Sequence, residues 1–444
     1  MGRGQDLKYW SPRVLIGFLN KISFFISHTK LFSFHESTPL QELCMMKTFG
    51  SWVILVIVWC LLIWHLTAAP LNQDKTPTLF AEGISKNPAG MIYYVNSKTG
   101  NDSTGTGAET KPFKTITAAV NRARSGDTVM VESANTYDAA NGEIFPIRLK
   151  SGMTLTRKKV TSSGSMVLVS PNPVISGGAR YDIPDSPGGR YPSIIGADNT
   201  VISSLSFSIV NSPGGTNDGT AVLCDGTSPT IEKCSFSGTA HAGITTLGTA
   251  HPRISDNNFA GNLNWGITAY GESYPTISKN TFSTLNGIDC TASSHPSIEN
   301  NKISCGSAGI STKGSANPTI TGNTLNGNGD YGIIVRMDST PAIQGNTIKQ
   351  NPVGIYIATG GATRPDIGGG GRSTGGNIFQ DNSQYDIENR NTVDIMATGN
   401  TWGTICCEDI SSRIYDKEDN PMYGAVSYGT CTPCRIMATM RPPL

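Results

Sequence analysis

Two sets of side chains in this 444-residue chain have the types and spacing to do chemistry. The first joins Lys313 and Arg336, 23 residues apart, to the carboxylates Asp289 and Asp338 and the rings of Tyr270 and Tyr356. Two cations held close repel, so they need a carboxylate partner or a bound anion. A uronate sugar would suit them: Lys or Arg neutralises the sugar carboxylate and takes the neighbouring proton, while Tyr stacks on the ring. In the plainer alternative, Asp289 and Asp338 neutralise the two cations as ordinary surface pairs of small energetic weight. The second set is His251, Tyr274 and His295, each directly before a proline. These three could bind a sugar or share a proton transfer. As solvated turn residues they would do neither, and no carboxylate in their column orients either imidazole.

Both readings depend on a scaffold that brings residues about 23 apart into line. A repeat supplies it. Units start at Gly219, Gly243, Gly266, Gly287, Gly309, Gly332 and Gly354, at intervals of 24, 23, 21, 22, 23 and 22 residues. From Gly243 on, each opens with Gly-Ile. Prolines follow at Pro229, Pro252, Pro275, Pro296, Pro318, Pro341 and Pro365, each with isoleucine two residues later. Asparagine recurs at Asn258, Asn280, Asn301, Asn323 and Asn346, with an apolar residue close behind. Repeats of this length are stacked coils that bury their apolar faces against their neighbours.

Apolar positions alternate at period 2 (Ile333, Val335, Met337; Ile355, Ile357), which is strand spacing. The segments are short and broken by Gly, Asn, Ser and Pro, which excludes long helices, and the leucine-rich frame is missing. The expected fold is all-β: a right-handed parallel β-helix whose strands pair with the same strand one coil on, about 4.8 Å away. The asparagines are expected at left-handed bends, their amides bonded along the axis as a ladder. Fifty glycines, 15% charged and 8% aromatic residues agree with a turn-rich solenoid. A net charge of +1 and no basic stripe argue against nucleic acid as a partner.

Residues 52–66, WVILVIVWCLLIWHL, form an apolar run preceded by Lys47 and followed by Thr67-Ala68-Ala69. Read from Met45 or Met46 it has the outline of a signal peptide; read from Met1 it is a single membrane anchor. Either places the remainder outside the cytosol; in the signal-peptide reading the first 44 residues belong to a mispredicted start. Eight further cysteines, Cys224, Cys234, Cys290, Cys305, Cys406, Cys407, Cys431 and Cys434, are disulfide candidates in an exported chain. The last four could instead hold zinc. Asn101-Asp102-Ser103 is a sequon, making Asn101 a candidate glycan acceptor.

Residues 92–132 carry Y-V-x-x-x-x-G-x-D, a Gly-rich loop, P-F-K-T-I-x-x-A and G-D-T-V-x-V. This resembles the N-terminal module of exported parallel β-helix proteins of the pectin-lyase-like superfamily, including a domain family of unknown function. Ile116, Ala119, Val120 and Ala123 give a short helix one apolar face that can cover the open end of the solenoid, with Asp127 to Val131 beginning the first coil. Near the other end, Asn400, Trp402, Gly403, Ile414, Asp416, Asp419, Pro421 and Val426 resemble the closing segment of secreted proteins with the parallel β-helix repeat. The superfamily includes lyases, hydrolases, epimerases, adhesins and inert spikes, so the resemblance implies a fold and leaves activity open. The polygalacturonase set, with its Gly-His-Gly, and the D-P-H-D signature of alginate epimerases are absent. No run of aspartates marks a calcium site, although Asp225 with Asp218 or Asp256 could hold calcium weakly. The Gly368–Gly371 run lacks the Lys-Ser/Thr of a phosphate loop and reads as a bulge leaving the coil.

The expected organisation is an extension at 1–51, the apolar segment at 52–69, a linker at 70–91, a cap with the first coils at 92–165, repeats at 166–403 and a Cys-rich cap at 404–444. The expected partner is a polysaccharide or cell-surface glycan, met by a monomer that touches a membrane only through 52–69. One expectation is a non-catalytic glycan binder; the other is a lyase or hydrolase acting on an acidic glycan through Asp289, Lys313, Arg336 and Asp338.

Overall fold

In the computed structural model the described residues are 90–158, 171–183, 189–214, 217–434. The apolar segment at 52–69, the extension and nearly all of the linker lie outside them. Among the described residues no helix is long and apolar enough to cross a membrane.

The chain winds into coils of three strands, and each strand pairs in parallel with its counterpart one coil away. Sheet A, of 13 strands, collects the Pro-x-Ile segments; sheet B, of 11, the Gly-Ile segments; sheet C, of 10, the short strands after the asparagines. Residues 265–290 show one circuit: Trp265–Ala269 in sheet B, Thr276–Ser278 in A, Thr281–Ser283 in C, then Asn286–Cys290 back in B. Parallel crossovers of this kind wind right-handed, making the fold a right-handed parallel β-helix. The isoleucines at 231, 254, 277, 298, 320, 343 and 367, and those after the glycines, are fully buried. A third inward column stacks Phe207, Phe236, Phe259 and Phe282 with centroids 4.7–5.0 Å apart, close to the strand spacing. Ile303, Leu325 and Ile348 continue it to Phe379 and Trp402, which stack at 4.8 Å.

The corner between sheets A and C holds the asparagine ladder. Its members are Asn257, Asn280, Asn301, Asn323, Asn346, Asn377 and Asn400. At each step the backbone N–H and Nδ2 of one asparagine donate to the Oδ1 of the next, as in Asn280 to Asn301 at 2.9 and 3.1 Å. Nδ2 also donates to the carbonyl of the preceding coil's isoleucine, such as Ile254 from Asn280. Two details differ from the sequence reading. Asn257 belongs to the ladder, while Asn258 begins the following strand and is exposed. The left-handed residue is the one before the asparagine: Asp256, Lys279, Asn300, Gly322, Gly345 and Gly376 all have φ between 55° and 73°. The asparagine side chain is thereby turned inward to bond. A second ladder, Asn328, Asn351 and Asn382, runs between sheets C and B and was not read from the sequence.

The coil between Asn346 and Asn377 is 31 residues long, and its surplus leaves as the glycine run. Asp366 gathers that loop, accepting from the amides of Gly368, Gly370, Arg372 and Ser373, and the strand register shifts there.

At the N-terminal side the first sheet A pair is Ile92–Val95 with Thr128–Val131, so the coils begin one strand earlier than Asp127. Helix α1, Ile116–Arg122, buries Ile116, Ala119 and Val120, and the Glu143 carboxylate accepts from the Ile116 and Thr117 amides at its start. At the other side, Ile414–Tyr415 and Val426–Ser427 still pair with sheets B and A, and Arg413 grips the fully buried Asp386 through two hydrogen bonds of 2.7 and 2.9 Å.

Cysteine usage is divided. Cys406 bonds to Cys434 and Cys407 to Cys431. Cys224, Cys234, Cys290 and Cys305 are free and buried, which corrects their reading as disulfide candidates. Cys224 and Cys290 share an inward column but are three coils, roughly 14 Å, apart, far beyond the span of a disulfide. Cys234 and Cys305 occupy the two asparagine corners one coil before each ladder begins, where their backbone amides donate to Asn257 and Asn328. Burial pushes the Cys234 thiol up to about 12.

Asn301→Ala would orphan the Ile277 carbonyl and the Asn280 amide, so it is expected to cost about 2–3 kcal/mol in urea unfolding. Asn258→Ala, its exposed neighbour in type, should stay within about 0.5 kcal/mol. Equal midpoints for the two variants would remove the ladder as a stabilising element.

Candidate functional site

Sheet B has the longest strands, five to seven residues over most of the repeats, and so offers the widest outward face. Residues after the inward isoleucines point out by the alternation of a strand. Register stacks Thr245, Thr268, Asp289, Ser311, Ile334, Tyr356 and Glu388 in one column. Two residues further on, Asp225, Leu247, Tyr270, Thr291, Lys313, Arg336, Ala358 and Arg390 form the next. Asp225 thus stacks with this second column.

Lys313 Nζ lies 3.1 Å from Asp289 Oδ2, a diagonal contact between adjacent coils. The Asp289 side chain is only 7% exposed and Lys313 32%. The other oxygen, Asp289 Oδ1, is buried with no hydrogen-bond partner. One coil on, Arg336 repeats the diagonal, donating from Nη2 to Ser311 Oγ at 2.9 Å, while its Nε is buried and unpartnered. Buried polar atoms are nearly always satisfied, so these orphans mark places for water or ligand. Tyr270, 48% exposed, stands in the column of Lys313 two coils before it.

Sequence reasoning missed two neighbours, Arg190 and His241, and weighed a third, Asp218, only for calcium. Arg190, Asp218 and His241 come from strand ends and loops that enter the repeat from outside its period. Arg190 Nε is a further buried orphan; burial lowers its pKa, opposed by Asp218 and Tyr270. His241 is pulled down to about 4, mainly by burial, with the Arg190 and Lys313 charges adding to the effect and Asp218 opposing it. At neutral pH it is an uncharged imidazole beside two cations. Only its place in the fold identifies it, since the sequence shows a lone histidine in Thr-Ala-His-Ala.

Asp338 and Tyr356 stand apart from this group. Asp338 Oδ1 accepts from the Ala362 amide at 2.7 Å, closing a turn, and Arg336 takes Ser311 instead. Tyr356 packs on Tyr331 with centroids 4.9 Å apart, in a cavity of about 340 Å³ that also holds Tyr385, Glu388 and Arg390. The His251, Tyr274, His295 column is a ring stack at 4.8 and 4.9 Å on the turn between sheets B and A. Both faces of Tyr274 are therefore covered by imidazoles, and only ring edges face outward. His295 Nδ1 is buried without a partner.

Of the acids considered for calcium, Asp225 accepts from the Tyr181 hydroxyl at 2.7 Å, and Asp256 sits at the left-handed bend of the other corner. Among the described residues, the one close group of metal-type ligands is Cys406, Asp409 and Cys434, whose two sulfurs are bonded to each other. Asn101 is exposed, its Oδ1 accepting from the Ser103 and Thr104 amides.

Residues 98–313 match a family described as protein of unknown function (DUF1565), and residues 248–402 match the right handed beta helix region. No curated protein matches the chain. Among solved structures, the lacto-N-biosidase of family GH136 from Eubacterium ramulus is 14% identical with a TM-score of 0.51, over 77% of this chain and 67% of its own. The A-module of the mannuronan C-5 epimerase AlgE4 from Azotobacter vinelandii is 14% identical with a TM-score of 0.40, over 70% and 93%. The first likeness is one of fold.

The His241 shift has a sign that can be tested. Its folded pKa lies below the unfolded value, so the unfolded chain binds the proton more readily as pH falls from about 6.5 towards 4. Stability should decline through that window, by at most about 1.4 kcal/mol per pH unit from this group. His241→Gln should flatten that part of the profile in thermal melts; an unchanged slope would show that His241 is not held neutral.

Proposed function

We propose that this right-handed parallel β-helix protein is an exported glycan binder that takes an acidic polysaccharide along the outward face of sheet B. The observation that supports the reading best is the set of orphaned atoms there: Asp289 Oδ1, Arg336 Nε and Arg190 Nε, all buried and all without partners. A chain of carboxylated sugars supplies both kinds of missing partner, carboxylates for the guanidiniums and hydroxyls for Asp289. Lys313 adds a third cation, tied on one side to Asp289. Tyr270 offers an exposed ring to a sugar face. The lacto-N-biosidase of similar fold is named for a glycan substrate, which agrees with the class of partner. The two C-terminal disulfides and the apolar run at 52–66 support export, and Asn101 is then an accessible glycan acceptor.

One observation favours a second, catalytic reading. Lys313, held as an ion pair, is suited to neutralising a uronate carboxylate and poorly suited to accepting a proton. His241 is neutral, and an anion bound by Arg190 and Lys313 would cancel the repulsion that helps keep it so. It would then be the base of a β-eliminating lyase, and Asp289 and Arg336 would position the sugar.

Affinity electrophoresis of the secreted chain in polygalacturonate, alginate and chondroitin sulfate gels tests the first reading. Retention on at least one acidic glycan is expected, weakened by salt, with Lys313→Ala and Arg336→Ala each costing about tenfold in affinity. Migration unaffected by every acidic glycan would overturn it. In the same mixtures, an unsaturated product that His241→Gln abolishes would establish the lyase reading in place of simple binding.

A further inference from the structure

The aromatic cavity farther along sheet B has chemistry of its own. Tyr331, Tyr356 and Tyr385 line it with Gln384, Glu388 and Arg390, around about 340 Å³. The Glu388 side chain is 6% exposed. Its Oε1 accepts from Arg390 Nε at 2.5 Å, while its Oε2 accepts no hydrogen bond among the described residues. The Arg390 guanidinium lies over the Tyr415 ring at 5.4 Å, which fixes it as the carboxylate's partner. Burial raises the pKa of both Tyr331 and Tyr356; Glu388 acts in the same direction and Arg390 opposes it, so both rings carry neutral hydroxyls.

A carboxylate oxygen with nothing to accept, on a cavity lined by three tyrosines, calls for a ligand that brings its own donors and an apolar face. A pyranose ring has both: hydroxyls for Glu388 Oε2 and C–H faces for the tyrosines. The cavity lining holds two carboxylates, Glu388 and Asp330, against the single cation Arg390, so a uronate would be repelled.

We infer that this cavity is a subsite for a neutral pyranose, so that sheet B reads a mixed glycan: a uronate at Lys313 and Arg336, and a neutral sugar at Tyr331, Tyr356 and Glu388. Asp289 and Tyr356 are three register steps apart in the same outward column, roughly 14 Å along the axis. A few consecutive rings of one chain span that distance. The inference deepens the acidic-glycan reading by naming the sugar sequence the face accepts.

Isothermal titration of the full chain would compare rhamnogalacturonan I oligosaccharides, which alternate uronate and neutral rings, with polygalacturonate oligomers of equal length. The alternating oligomer should bind at least about tenfold tighter, and Tyr356→Ala should erase that advantage while Tyr356→Phe keeps it. Glu388→Gln, which keeps the shape and removes the charge, should narrow the preference by raising polygalacturonate affinity, a gain that damage to the fold would not produce. Equal affinity for the two oligomers, or a preference that survives Tyr356→Ala, would overturn the subsite. Polygalacturonate would still bind in that case, leaving the acidic-glycan reading intact. Binding of neutral xylotetraose or cellotetraose alone, lost in Tyr356→Ala, would support the cavity even if every acidic glycan failed.

Discussion

Every column on this molecule depends on one constraint: a coil must lie directly over the coil before it. Parallel pairing sets the spacing but would tolerate a slip along the strand, and a slip by one residue turns each side chain to the opposite face. The asparagine ladders oppose that slip. Each asparagine accepts from the backbone and side-chain N–H of the asparagine before it and donates to the next and to a carbonyl one coil back. A displaced coil would lose all of these bonds together, in a buried corner where water cannot replace them. The phenylalanine stack adds shape: flat rings at nearly the strand spacing fit only when the coils superpose.

With register held, surplus residues must leave at turns. The 31-residue step from Asn346 to Asn377 keeps its ladder bond while Asp366 gathers the extra glycines outside the coil. The same division separates core from face. One inward column each in sheets A and B is nearly all isoleucine, because identical side chains stack well on a fixed repeat. Outward positions of sheet B change from threonine to aspartate, serine and tyrosine along the axis.

That gradient gives the face two chemistries. Around Asp289 it is cationic, with unsatisfied guanidinium and carboxylate atoms and a histidine stripped of its charge by burial. Around Tyr356 it is aromatic, with a carboxylate already neutralised by its own arginine. Sheets A and C, with strands of mostly two or three residues, have no comparable width.

The repeat by itself determined the fold class, the three inward columns and the outward neighbours of Asp289, because a period of 21 to 24 residues converts sequence separation into position. It placed Lys313 beside Asp289 for that reason. It failed where local geometry breaks the period. The repeat points to Asn258 where the ladder uses Asn257, since both follow Asp256 and only the bend decides which side chain turns inward. Cys224 and Cys290 counted as candidate bridges, though three coils separate them. Asp338 was grouped with Arg336, but a turn amide claims it. His241, Arg190 and Asp218 carry no repeat signature, and Glu388 and Arg390 follow the long loop that interrupts the count. Tertiary structure alone decided which of these polar groups were buried without partners, because desolvation is set by what packs around a side chain and leaves no mark in the spacing.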